Sequence, residues 1–200
     1  MAFLRSSSSS DNEPDLAGAG LRLRPPAMSD YVAWAELRAK SREHLQPFEP
    51  QWARDELTRS AFRRRLKHYQ REAREDQGHA LLIFASADAG LLGGLTLSNI
   101  RRGVSQMASL GYWIGAPHAG HGLMTEAVRA VLPFAFETLR LHRLEAACVG
   151  GNAASIRVLE KAGFRREGVA RRYLKINGIW QDHILFALLE DDTRREVERR

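Results

Sequence analysis

Between His79 and Gly115 the chain passes through three strand-like runs: His79 to Ser86, Leu91 to Ile100, and Met107 to Gly115. The gaps between them hold turns and little else. Asp88-Ala-Gly reads as a hairpin turn and Arg101-Arg-Gly as the next one. Strands joined so closely must pair antiparallel. The next segment breaks the pattern. A helical stretch from Leu123 to about Leu139 precedes another strand, Arg143 to Val149, and such a crossover lays its two strands parallel. The predicted fold is a mixed α/β sheet with helices on both faces.

The flanking elements yield to the same reading. Leu21-Arg-Leu-Arg alternates as a short strand stopped by Pro25-Pro26. Ser29 or Asp30 caps a helix to about Leu45, with Trp34, Leu37 and Leu45 on its inner face. Gln46-Pro-Phe-Glu-Pro-Gln is a loop. A second helix is predicted from about Ala53 to Arg74, with Phe62, Leu66, Tyr69 and Ala73 at helical spacing. Its other face carries Arg59, Arg63, Arg64, Lys67 and Arg71, either a solvated surface or a polyanion contact. Pro133 should bend the helix that contains it. Asn152 to Ala162 reads as a short helix closed by Gly163. Arg166 to Ile176 and Ile179 to Leu189 form a hairpin about Asn177-Gly178. The domain is predicted over 20–190, after a disordered Ser-rich tail at 1–19 and before a charged tail at 191–200.

With 200 residues, 44% apolar and 27% charged, the chain has the make-up of one globular domain. No apolar run approaches the ~20 residues that span a bilayer, so no membrane partner is expected. Met1 to Ser6 lacks the apolar stretch of a secretory signal. The single cysteine, Cys148, excludes an internal disulfide and fits a reducing cytoplasm. A net charge of +6 favours polyanionic company such as RNA, a phosphorylated cofactor or an acidic partner.

The most informative stretch is Leu110-Gly-Tyr-Trp-Ile-Gly-Ala-Pro-His-Ala-Gly-His-Gly-Leu-Met-Thr-Glu-Ala. A strand feeds a turn with Gly120 and Gly122, and the turn opens into a helix. The first amides of a helix lack internal partners and carry the positive end of its dipole. Glycines let a phosphate approach them. The amides of about Gly120, His121, Gly122, Leu123, Met124 and Thr125 thus form either a pyrophosphate cradle or a purely structural turn. A P-loop is excluded because Gly122 is followed by Leu-Met-Thr rather than Lys-Ser/Thr. A dinucleotide fingerprint fails because Thr125 stands where its third glycine belongs. A second cluster runs from Gly150 to Phe164, where Asn152 and Gly163 suit an N-cap and a C-terminal αL residue. No His/Cys/Asp spacing resembles a metal site.

The turn Ala119-Gly-His-Gly-Leu-Met-Thr-Glu-Ala, the Asn152-x-x-Ser155…Gly163-Phe164 segment and Gly111-Tyr-Trp-Ile together resemble the GCN5-related N-acetyltransferases over about residues 20 to 190. His44-Leu-Gln-Pro-Phe-Glu-Pro, Leu97-Ser-Asn-Ile-Arg-Arg-Gly and Leu174-Lys-Ile-Asn-Gly-Ile-Trp-Gln-Asp-His are similar to the RimJ-type branch, which acetylates N-terminal alanines of ribosomal proteins. Ala119 stands where the family usually has Gln or Arg, and Met124 where it often has Gly or Ala. Both departures fall on side chains, whereas the amides grip.

The resemblance implies acetyl-CoA as co-substrate, with no metal. It implies two splayed parallel strands, Met107 to Gly115 and Arg143 to Val149, with pantetheine paired to backbone around Trp113 and Ile114. Asn152 and Ser155 would border the cofactor, Ser155 donating to the leaving thiolate or serving only as part of a cap. Glu49 would lie near the acceptor mouth, as base or as a carboxylate that binds the incoming ammonium. Asp182 and His183 come next, but strand alternation aims them at opposite faces. The acceptor is expected to be a protein N-terminus such as that of a ribosomal protein, with RNA or the ribosome nearby. Two alternatives are a small amine or antibiotic as acceptor, and a non-catalytic RNA-associated module.

Overall fold

A computed structural model describes residues 14–197 of the chain, with side chains to 193. One eight-stranded sheet organises it, in the order β1-β2-β3-β4-β5-β6-β8-β7. Its strands are β1 (Leu16–Gly18), β2 (Leu21–Arg24), β3 (His79–Ala85), β4 (Leu91–Arg101), β5 (Met107–Ile114), β6 (Arg143–Val149), β7 (Arg165–Ile176) and β8 (Ile179–Leu189). Every neighbouring pair is antiparallel except β5 and β6. The helices are α1 (Tyr31–Lys40), α2 (Arg42–Leu45), α3 (Arg59–Arg74), α4 (Leu123–Pro133), α5 (Ala153–Lys161) and α6 (Glu190–Val197).

The sheet is covered on both sides because its central strands are apolar on both sides. In β3, Leu81 and Ile83 enter a core that includes Val128 and Val131 of α4, Leu159 of α5, and Leu95, Leu144 and Phe186 of the sheet. The alternate residues Leu82 and Phe84 join Trp34, Leu37, Phe62 and Leu66 from α1 and α3 on the opposite face. A short run buried on both faces reads as nearly continuous apolar sequence, and Leu81-Leu-Ile-Phe does. Phe62, 1% exposed, anchors the second core, its ring centroid 4.8 Å from that of Trp34.

Four boundaries differ from the sequence reading. Part of the predicted tail is strand: Leu16–Gly18 pairs with β2, and residues 1–13 lie outside the described residues. The charged C-terminal segment is helical through Val197, and 198–200 lie outside the described residues. The helix expected to run to Leu45 breaks at Ser41, whose hydroxyl accepts a hydrogen bond from the Ala116 amide at 2.8 Å. A tertiary bond thus fixes the interruption. The second helix starts at Arg59, where the Thr58 side chain accepts from the Ala61 amide. Pro133 lacks an N–H, and the chain after it widens into a π-helical turn over Phe134–Thr138, closed by the Leu139 amide on the Phe134 carbonyl at 2.9 Å.

Two glycines bring β4 and β5 together. A Cβ on Gly93 would stand 2.3 Å from the Trp113 carbonyl oxygen, and one on Gly94 would stand 2.5 Å from the Trp113 indole nitrogen. Gly111 on β5 is different: an added Cβ meets nothing within 4 Å. Gly93→Ala should therefore cost at least about 1–3 kcal/mol through overpacking against backbone, while Gly111→Ala stays within about 0.5 kcal/mol. Chemical denaturation of the two variants beside the parent checks this, and equal midpoints would refute the packing argument.

Candidate active site

The parallel pairing of β5 and β6 is brief. Met107, Ala108 and Ser109 match Arg143, Leu144 and Glu145, and there it stops. Both strands continue, β5 held by β4 and β6 by β8. Past Ser109 their facing edges diverge, leaving a gap bordered by strand backbone. The Gly115 amide donates to the Leu92 carbonyl at 2.8 Å, on the β4 side. Alternation then makes Ile114–Gly93 and Tyr112–Leu95 non-hydrogen-bonded pairs, with the Ile114 and Tyr112 amides turned to the open edge. Trp113 turns the other way. Its backbone faces β4 and its side chain lines a cavity on the α1/α3 face, so of Trp113 and Ile114 only Ile114 turns its amide to the gap.

At the end of β5 the chain passes through a short 3₁₀ turn, Ala116–His118, and Ala119 into the glycine turn. Gly120 and Gly122 have φ of 84° and 79°, and Gly122 is the N-cap of α4 with no side chain capping it. The first bond into the helix is Glu126 to the Gly122 carbonyl, at 3.2 Å. Ahead of it lie the first-turn amides of Leu123, Met124 and Thr125. No heavy atom stands within 4 Å of where a Cβ on Gly120 or Gly122 would sit. Positive φ explains both glycines, and the bare turn leaves room for an anion against the helix start. Met124 and Thr125 side chains are buried in the core, whereas His121 is exposed. This cradle holds the features a pyrophosphate needs.

Across the gap, Asn152 caps α5 by accepting from the Ser155 amide at 3.0 Å. Capping uses the Ser155 N–H and leaves its hydroxyl free. That hydroxyl lies 2.8 Å from the Tyr112 hydroxyl, and Tyr112 also reaches the Ser155 carbonyl at 3.3 Å. Burial pushes the Tyr112 phenol well above its ordinary value, although the Ser155 bond pulls the other way. Burial likewise raises the Cys148 thiol. Two protonated hydroxyls therefore sit together at the divergence of the strands. Sequence reading found Ser155 but not Tyr112, because the pair is separated by 43 residues and no local spacing marks it.

On the other face of the sheet, α1, α3 and strands β3 to β5 enclose a cavity of about 390 Å³, lined by Trp34, Arg38, Glu49, Trp52, Arg65 and Trp113 among others. Glu49 is at this mouth. Arg38 grips its carboxylate with both terminal nitrogens, at 3.0 and 2.6 Å, and the Trp52 indole N–H donates at 2.7 Å. The Glu49 carbonyl accepts from Asn177 at the tip of the β7–β8 hairpin, at 2.9 Å. The Arg38 guanidinium lies 4.6 Å from the Trp52 ring centroid and 5.0 Å from that of Trp113. Deleting one partner of such a buried pair leaves an uncompensated charge and typically costs about 3–5 kcal/mol. A carboxylate offers about four acceptor positions. Three here are taken, which suits a fixed anchor better than a mobile proton acceptor. Asp182 accepts from the Arg172 amide at 2.8 Å and His183 is 2% exposed, so each has a structural role within the hairpin.

Comparison with known proteins agrees with this geometry. Residues 20–165 match the model of the acetyltransferase (GNAT) domain. The chain belongs to the GNAT acetyltransferase family. It is 40% identical to the probable N-acetyltransferase YjcK of Bacillus subtilis, over 88% of this chain and 98% of that one. It is 32% identical to the [ribosomal protein uS5]-alanine N-acetyltransferase of Escherichia coli, over 86% and 89%. Among solved structures, Mycobacterium smegmatis RimJ in complex with CoA-disulfide superposes with a TM-score of 0.83 at 30% identity, covering 94% of this chain and 93% of that one. The GNAT fold and the RimJ-type resemblance read from the sequence are both borne out.

The cradle generates a direct test. Gly122→Val forces a β-branched residue to φ near 79° and should cost about 1–3 kcal/mol. Its side chain also stands before the first-turn amides, so CoA affinity should fall about tenfold or more, read by calorimetry. Gly122→Asn, which tolerates the αL region, should keep more of the stability. Unchanged affinity in the valine variant would make the turn purely structural.

Proposed function

We propose that the chain transfers the acetyl group of acetyl-CoA to the α-amine of a protein that begins with alanine or another small residue. The observation that carries the reading is the divergence of β5 and β6 beside an uncapped helix N-terminus, with the Tyr112–Ser155 hydroxyl pair linking β5 to α5. The residues expected from sequence to meet the cofactor, Gly120 to Thr125 for the pyrophosphate and Trp113 and Ile114 for the pantetheine, fit this reading in part, since of the last two only Ile114 turns its amide to the gap. Names of similar proteins supply the acceptor class: one relative acts on the alanine of ribosomal protein uS5. Among the described residues no helix is long and apolar enough to cross a membrane.

In this mechanism the amine enters from the α1/α3 cavity and attacks the thioester carbonyl lying in the gap. The Ile114 or Tyr112 amide, turned to the open edge, donates to the developing oxyanion, an interaction worth about 2.7–4 kcal/mol in comparable sites. As the carbon–sulfur bond breaks, CoA leaves as a thiolate that takes a hydrogen bond from the Ser155 hydroxyl, supported by that of Tyr112, and the nitrogen of the new amide loses its extra proton to water. Burial keeps Tyr112 protonated and able to do so. Glu49 holds the mouth in shape and accepts an N–H from the incoming amine. An α-amine has a pKa of about 7.7–8.0, so a useful fraction is neutral without a strong base, whereas a lysine amine at about 10.4 is almost wholly charged near neutral pH.

A thiol-release assay with acetyl-CoA and an alanine-initiated peptide tests the reading, with mass spectrometry to locate the acetyl group. The rate should rise with pH and level off above about pH 8 as the amine becomes neutral. Peptides with blocked termini and free lysines should react poorly, and equal turnover of the two would rule out an N-terminal acceptor. Ser155→Ala and Tyr112→Phe should each lower kcat by about 10- to 10²-fold with acetyl-CoA affinity unchanged. The double variant should be little worse than either, because the two hydroxyls act as a unit. A less stable Ser155→Ala with full kcat would leave Ser155 only its place in the cap.

A further inference from the structure

The net charge of the chain is carried by one helix. Over its 16 residues α3 holds seven Lys or Arg against one Glu, an excess of six. The full chain has 30 Lys or Arg against 24 Asp or Glu. Everything outside α3 is therefore balanced, with 23 residues of each sign. The excess is also ordered. Arg59, Arg63, Lys67 and Arg71 recur every four residues, and with Arg74 they make an exposed stripe along the whole helix, about 22 Å long. The buried residues Phe62 and Leu66 lie on the opposite side.

A solvated helix surface ordinarily mixes signs, because like charges four residues apart destabilise a helix. Arg59–Arg63, Arg63–Lys67 and Lys67–Arg71 are all such pairs. Nearby carboxylates are not spent on them: Asp55 pairs with Arg64, Glu56 with Arg65 and Glu72 with His68. Among the described residues, the side chains of Arg63, Lys67 and Arg74 have no hydrogen-bond or ion-pair partner. The stripe repels itself, and a regular polyanion laid along it relieves that repulsion.

Two observations choose among polyanions. The stripe offers no stacking platform: Phe62 is buried, Tyr69 lines the α1/α3 cavity, and His68 is held by Glu72 and Arg71. Splayed single strands are bound by stacking their bases on exposed rings, whereas a duplex is gripped through its phosphates. The same helix also lines the cavity with Arg65 and Tyr69, so whatever docks on its outer face stands beside the acceptor mouth.

We propose that the outer face of α3 is a docking surface for the phosphate backbone of duplex RNA, which brings an RNA-bound acceptor protein to the cavity. The choice of RNA over DNA rests on the acetyl-transfer reading above, with an acceptor of the ribosomal class. The existence of a phosphate-binding stripe does not.

Fluorescence anisotropy of a labelled RNA duplex of about 16 base pairs reads the contact, with acetyl-CoA saturating so that the α4 turn is occupied. Affinity should fall about 10²-fold between about 50 and 200 mM salt, as expected for four phosphate contacts. Combining Arg63→Glu, Lys67→Glu and Arg74→Glu should weaken binding about 30-fold or more at the lower salt. Turnover of a free alanine-initiated peptide should not change, and the melting temperature should not drop, since the like-charge pairs are broken up. Reversing Arg166, Arg171 and Lys175 on β7 changes net charge equally and should cost about threefold or less. Equal losses in the two triple variants overturn the proposal. So does a parent chain that does not bind the duplex, or that binds single-stranded RNA, duplex DNA or poly-glutamate more tightly. Peptide turnover without duplex binding leaves acetyl transfer standing and overturns the docking surface. Stripe-dependent duplex binding without turnover of any amine upholds the surface and overturns acetyl transfer.

Discussion

The structure depends on an interaction that stops early. Parallel pairing between β5 and β6 covers three residues on each strand and then fails, while each strand stays anchored by its other neighbour. A sheet that paired throughout would have no interior gap, and backbone amides left unpaired inside a protein must find other partners. Here the Ile114 and Tyr112 amides are left facing that gap. The sheet is thereby broken open at its centre without losing the layers that stabilise it, since α4 and α5 still cover one face and α1 and α3 the other.

The site arises from the break. One wall of the gap leads through a turn with two positive-φ glycines into α4, whose first amides face outward. The opposite wall, β6, leads to the Asn152 cap and the Ser155 hydroxyl. The Tyr112 hydroxyl joins the two walls by its hydrogen bond to Ser155. On the far face, Gly93 and Gly94 admit Trp113 close to β4, and that ring helps enclose Arg38. The glycine turn and the Arg38 cavity thus lie on opposite sides of the same strand. Strand alternation sends Tyr112 one way and Trp113 the other.

Much of this was legible in the sequence, and the parts that were not share a cause. Strand and turn boundaries carried local signals, so Arg143–Val149 and Ile179–Leu189 were read correctly, as was the glycine turn before Leu123. The break at Ser41 depends on an amide 75 residues away, and a helical pattern gives no warning of it. Glu49 was singled out by its loop, but its partner Arg38 sits in a helix 11 residues earlier, where an arginine reads as solvated surface. Its burial among three tryptophans is a tertiary fact. Tyr112 stood inside a quoted motif without a role, because its hydroxyl acquires one only when α5 folds against β5. The π-helical turn after Pro133 was predicted merely as a bend, since a missing N–H specifies a disruption but not its shape.

The central claim is that backbone amides along the β5 edge and at the start of α4 grip the cofactor. Hydrogen–deuterium exchange with and without saturating acetyl-CoA measures those amides one segment at a time. Protection should rise at Tyr112 to Ile114 and at Gly120 to Thr125, and adenosine at the same concentration should produce little of it. Protection confined to other segments, with these two exchanging as in the free protein, would contradict the account.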